Sequence, residues 1–180
     1  MVAPRLHDAV SLRHFASVSR LDLIEKAHAN FDPPRWVAEV QDEVRRHAGH
    51  DAACQTLMGW SWPGAPASPS ECEALHVYEL QVALNDGQRP PANDKGEAES
   101  IFFAHKLGGS FFTDDTNAYD FATRRLGEGR VVDTVWVLQT LVADGALTCR
   151  EAADIANNIS GAGRSFRRGH TAPFKPAQFG

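Results

Sequence analysis

The residues with the clearest chemical potential are carboxylates set at the borders of expected elements. In "GEAESIFFAHKLGGSFFTDD", Glu97 opens an expected helix, and Asp114 and Asp115 end an apolar run. Upstream, Asp8 closes "VAPRLHD", and Glu39 lies within "FDPPRWVAEVQDEVRRH". Crowded carboxylates repel one another, and their pKa values rise unless a cation joins them. An all-oxygen set without His or Cys suits Mg2+ or Mn2+, which keep waters and bridge to phosphate oxygens. Such an ion can activate a water and steady charge developing on a phosphate. The pattern therefore favours phosphodiester chemistry over zinc hydrolysis.

These acids need elements to bring them together. The spacing predicts a short strand over 2–8, then helical turns through "SLRHFASVSRLDLIEKAHA". Asp32 is placed to cap the next helix, with Pro33 and Pro34 in its first turn. Residues 49–70 read as a loop. Ser68-Pro69-Ser70-Glu71 matches a capping box and predicts a helix to about Asn85. A helix over Glu97–Lys106, a buried strand "SFFT", a helix from Asn117 to Leu126 and a strand "RVVDT" follow. An apolar helix ends at Gly145, and Thr148-x-x-Glu151 caps a last one to about Ser160. Short strands alternating with helices imply an α/β fold with a short parallel sheet flanked by helices. Ligands of such sheets bind beyond the carboxyl ends of the strands, where Asp8 and Asp115 would sit.

Each acid also has a purely structural explanation. Asp94-x-x-Glu97 fits a capping box, Asp115 fits an N-cap, and Asp8 fits a turn. Glu39 and Glu43 share a helix face beside Arg35, Arg45, Arg46 and His47, which ion pairs explain. His47, His50 and Cys54 do not form a recognised zinc set. Trp60 and Trp62 suit either base stacking or the cover of a core edge. P-loop, GxSxG, HExxH and dinucleotide glycine patterns are all missing.

Composition narrows the classes further. At 180 residues the chain fits one domain with a sizeable core. A net charge of −5 argues against a general nucleic-acid coat protein, but not against a nuclease whose acids are neutralised by metal. Three scattered cysteines suggest a reducing compartment, and no apolar run reaches membrane-spanning length. A cytoplasmic protein with no membrane association is therefore expected. The expected organisation is a domain over 1–162, with 49–70 as a loop insertion, and a basic, mobile tail over 163–180. Arg164, Arg167, Arg168 and Lys175 make that tail a candidate for contact with RNA phosphates or an acidic partner.

"GEAESIFFAHKLGGSFFTDDTNAYDFA" resembles the segment of PIN-domain proteins in which an acid opens a helix and a Thr-Asp strand end follows. "SLRHFASVSRLDLI", "FDPPRWVAEVQDEV" and "VVDTVWVLQTLVADGALT" are similar to that family's first helical region, its proline–apolar–glutamate segment and its closing strand and helix. The likeness covers most of 6–160, with a gap around 49–70, and is to PIN-domain proteins of the kind found among toxin ribonucleases of bacterial toxin–antitoxin pairs. It implies a PIN-like three-layer sandwich and a Mg2+- or Mn2+-dependent endoribonuclease acting on single-stranded RNA. Asp8, Glu39, Glu97 and Asp115 would be the catalytic acids. Asp8, Glu97 and Asp115 would hold the metal, with Asp114 the alternative to Asp115. The family implies an antitoxin partner and, commonly, a homodimer. Here "VAPRLH" replaces a clean apolar strand, and Ala9 and Val10 stand where a small hydroxyl residue usually follows the first aspartate. A catalytically degenerate PIN-like protein that binds RNA or a protein partner is the competing expectation.

Overall fold

The computed structural model describes residues 2–91 and 93–180. Its sheet is small and parallel, with β1 (Arg5–His7), β2 (Ser110–Phe112) and β3 (Val131–Val132) in the order β1-β2-β3. The register sets His7 beside Phe112 and Phe112 beside Val132. The three strands therefore end level, and Asp8, Thr113 and Asp133 follow at one edge of the sheet.

Around this sheet run α1 (Ala9–Ser17), α2 (Leu21–Ala27), α3 (Ala38–His47), α4 (Ala52–Met58), α5 (Glu71–Leu84), α6 (Lys95–Lys106), α7 (Thr116–Leu126), α8 (Thr134–Ala143) and α9 (Cys149–Gly161). The fold is α/β, with helices flanking a short parallel sheet. β2 is buried along its whole length, as expected for a central parallel strand. Side chains alternate across it, so Phe112 meets His7 and Phe15 while Phe111 enters the core from the opposite face. Helix α6 packs on β1 and β2, and a smaller apolar cluster of Val77, Leu80 and Ala98 joins α5 to α6. No helix among the described residues is long and apolar enough to cross a membrane.

Glycine is required where β2 begins. A Cβ on Gly109 would collide with the Pro4 carbonyl oxygen, and that carbonyl accepts the Ser110 N–H at 2.9 Å.

The structure departs from the expected elements at four places. Asp32 does not cap a helix. Residues 36–38 instead exchange backbone bonds with Ala67, and α3 starts only at Ala38. The box at the start of α5 is formed by Ser70 and Glu73, two residues beyond the expected start. The stretch over 49–70 contains α4, capped by Asp51, whose side chain accepts from Ala53 N at 2.9 Å. The tail expected to be mobile is packed. Phe174 and Phe179 are buried, and Phe166 lies 5.2 Å from His14 and 4.7 Å from Phe174, ring to ring. Three aromatic side chains outweigh the tail's charge in deciding where it goes.

Candidate active site

The candidate site stands at the carboxyl ends of the strands. Asp8 leaves β1 and caps α1, accepting the Ser11 N–H at 2.7 Å. Its other carboxylate oxygen accepts the Thr113 hydroxyl from the end of β2. Asp8 is 1 % exposed and has no cationic partner among the described residues. Burial pushes its pKa up to about 7, although Thr113 and Ser11 pull in the opposite direction.

Asp114 lies beside it, 4 % exposed. One of its oxygens accepts the Thr134 hydroxyl at 2.5 Å and the Ser11 hydroxyl at 3.2 Å, and Thr134 N–H lies 3.3 Å from both oxygens. His14 Nδ1 stands 3.3 Å from that same carboxylate and 3.0 Å from the Thr134 hydroxyl. Ser11 thus joins the two aspartates, donating its N–H to Asp8 and its hydroxyl to Asp114.

Glu97 enters from the first turn of α6. Burial, then the nearby charges of Asp8, Asp94 and Glu43, pushes its pKa up to about 8. Burial also raises Glu43 and Asp94, with the field of Asp115 adding to Asp94. Asp94 does not form the expected capping box. Its backbone is left-handed (φ 66°), and its carboxylate takes a bond from Asn85 Nδ2 at 3.2 Å. Glu97, Asp94 and Glu43 line an open cavity of about 530 Å³, with Arg46 and Lys95 among its other walls.

The remaining expected site residues sit elsewhere. Glu39 is bound by Lys95 at 2.7 Å and by Arg46 at 2.8 Å. Burial alone would raise it, but these two cations hold its pKa below the usual range. Asp115 is exposed and caps α7, accepting Ala118 N–H at 2.8 Å. Arg164 forks onto Asp51 at 2.8 and 3.0 Å, and Arg13 binds the same carboxylate at 2.6 Å. Arg167 binds Asp133 at 2.8 Å, with His170 3.2 Å from the same oxygen. His47 and His50 face each other with nitrogens 3.1 Å apart, while Cys54 is buried.

Sequence reasoning missed Glu43 and Asp133. Glu43 falls one helical turn after Glu39, which brings it rather than Glu39 into the field of Glu97. Asp133 repeats, at the end of β3, the strand–aspartate border already seen at Asp8 and Asp114; "VVDT" carried that signal.

Among the described residues, no three His, Cys, Asp or Glu side chains stand close enough to share one metal ion. The donor chemistry of Asp8 and Glu97 nevertheless fits an oxygen-seeking divalent cation. Among the described residues both are carboxylates without a cationic partner, and Mg2+ commonly uses one or two carboxylates and completes its shell with water and phosphate. No protein-family model matches the chain, and no curated protein and no solved structure matches it either.

Proposed function

We propose that the chain is a divalent-metal-dependent endoribonuclease of PIN type acting on single-stranded RNA, with the role of a toxin restrained by an antitoxin protein. The observation that carries the chemistry is the meeting of Asp8 and Asp114 at the ends of adjacent parallel strands, joined through Ser11, with the charge of Asp8 reaching Glu97. None of the three takes a bond from Lys or Arg among the described residues, in a chain where Glu39, Asp51 and Asp133 all do. The three-layer arrangement, the antitoxin and a homodimer rest on the sequence resemblance.

Asp8 and Glu97 would hold the ion, which when bound supplies an activated water and positive charge for the phosphate. Ser11 and Thr113 fix the rotamer of Asp8. Ser11, Thr134 and His14 hold Asp114 behind it. Glu43 lines the approach, and Arg46 and Lys95 on the same cavity wall offer positive charge to the RNA backbone.

A labelled single-stranded RNA incubated with Mg2+ or Mn2+ tests the reading. Cleavage by the wild type, abolished by chelator and by Asp8→Asn or Glu97→Gln, is the expected result. One observation favours a second reading, a degenerate PIN-like protein that binds RNA without cutting it: the Asp114 carboxylate is already occupied by Thr134 and Ser11. Folded protein that retains RNA in a binding assay and cuts with neither ion would establish that alternative.

A further inference from the structure

The opposite end of the sheet holds a cation with no counter-charge among the described residues. Arg5 opens β1 and is 5 % exposed. Its Nε donates to Ser110 Oγ at 2.9 Å, but neither terminal nitrogen has a hydrogen-bond partner among the described residues, and Nη1 is wholly buried. The guanidinium lies 4.1 Å from the ring centre of Phe31 and 4.6 Å from that of Trp136. None of the described carboxylates is within ion-pair distance of it. Burial lowers its pKa to about 10.

A cavity of about 230 Å³ opens beside it, lined by Arg5, Phe31, Ser110, Arg130 and the glycines of two turns. Arg130 also has no carboxylate partner among the described residues and gives its bonds to the carbonyls of Gly109, Ala104 and Leu126. Gly108 and Gly129 have φ of 66° and 78°, so those turns place no side chain at the rim. Two guanidinium groups and no acid line this cavity, in a chain whose net charge is −5.

A buried charge is costly unless it is paired. Aromatic faces offset part of the cost for Arg5, yet they leave its planar donors unused. Those donors match the oxygens of a phosphate in spacing and plane. We propose that this cavity binds a small phosphate-class oxyanion, held by Arg5 with Arg130 behind it. The site is separate from the carboxylates at the other strand ends and stands whether or not the chain cuts RNA.

Calorimetric and tryptophan-fluorescence titrations of the intact, metal-free protein test this, with sodium chloride at matched ionic strength as the control. One arm uses inorganic phosphate and the other uridine 5′-monophosphate. Saturable binding in the wild type is expected, weakened about tenfold or more by Arg5→Lys, which keeps the charge but loses the fork. Arg130→Gln should weaken it as well, so the result does not depend on the folding of one variant. Tighter binding of the nucleotide assigns the site to a phosphate ester, and equal or tighter binding of phosphate assigns it to the free ion. Folded wild type that shows no saturable binding in either arm overturns the proposal. So does affinity unchanged in both arginine variants.

Discussion

Thr113, at the end of the central strand, donates its hydroxyl to Asp8 at the end of the neighbouring strand. This bond favours the ionised form of a carboxylate that burial otherwise disfavours. Thr113→Val keeps the shape and removes the donor. It should raise the Asp8 pKa further and destabilise the protein at pH 8 by about 1–3 kcal/mol. The effect should shrink at pH 5, where Asp8 is protonated. Urea unfolding at the two pH values measures both.

Asp8 and Glu97 give stability a definite pH signature. Their folded pKa values, about 7 and about 8, lie above those of unfolded carboxylates, so the folded state binds protons more tightly. This contribution is full below about pH 4 and is lost as pH rises through 7 to 8. His7 and His28 act on the other side. Both are buried, and burial followed by neighbouring positive groups holds their pKa values well below 6.5, so stability is lost as pH falls below 6.5. Melting temperatures of wild type and Asp8→Asn separate the two effects. The variant should gain stability at pH 8, and its advantage should vanish near pH 4. Under the nuclease reading, Mn2+ should raise the wild-type melting temperature more at pH 8 than at pH 5.5.

The two glutamates of α3 should behave differently in a cleavage assay. Glu43 lies in the field of Glu97, whereas Glu39 is neutralised by Lys95 and Arg46. Glu43→Gln should lower metal-dependent cleavage at least tenfold. Glu39→Gln should leave the rate within about threefold and change stability by about 1 kcal/mol or less, as for other ion pairs on a largely exposed rim. Initial rates at saturating Mn2+ distinguish them, and the reverse ranking would return the catalytic assignment to Glu39.

Asp51 ties three parts of the chain together, capping α4 and binding both Arg13 and Arg164. Burial alone would raise its pKa, but the two guanidinium groups hold it well below the usual carboxylate range. Its contribution is therefore present above about pH 4 and is lost as pH falls further. Asp51→Asn should cost about 1–3 kcal/mol and loosen the tail. Limited trypsin digestion after Arg167 or Arg168, followed by mass spectrometry, should show faster cleavage in the variant.

The parts legible from sequence were those with local causes. Thr148 and Glu151 form the expected box, and "SFFT" and "RVVDT" contain the expected strands. Some of the errors arise from contact between residues distant in sequence. Asp32 had the right neighbours for a cap, but pairing of residues 36–38 with Ala67 set where α3 begins. Helix α4 buries only Ala53, Cys54 and Leu57, too few to reveal a periodicity amid glycine, proline and tryptophan. The tail looked free because its partners lie far away in sequence: Asp51 and Asp133 hold Arg164 and Arg167, and the surfaces covering Phe174 and Phe179 belong to the folded domain. Asp8 and Glu97 were legible as candidates from their borders. The capture of Glu39 by Lys95 depends on packing between α3 and α6 that no local pattern encodes.

The pairing of Arg5 with Ser110 joins residues 105 positions apart. During synthesis Asp8 leaves the ribosome long before Thr113 exists. At ordinary elongation rates the gap is roughly 5–20 s. Throughout that interval Asp8 has neither its hydroxyl donor nor its neighbouring strand, and Glu97 and Asp114 join only near the end. Under the nuclease reading, the nascent chain is therefore unarmed until the strands that carry its acids can pair.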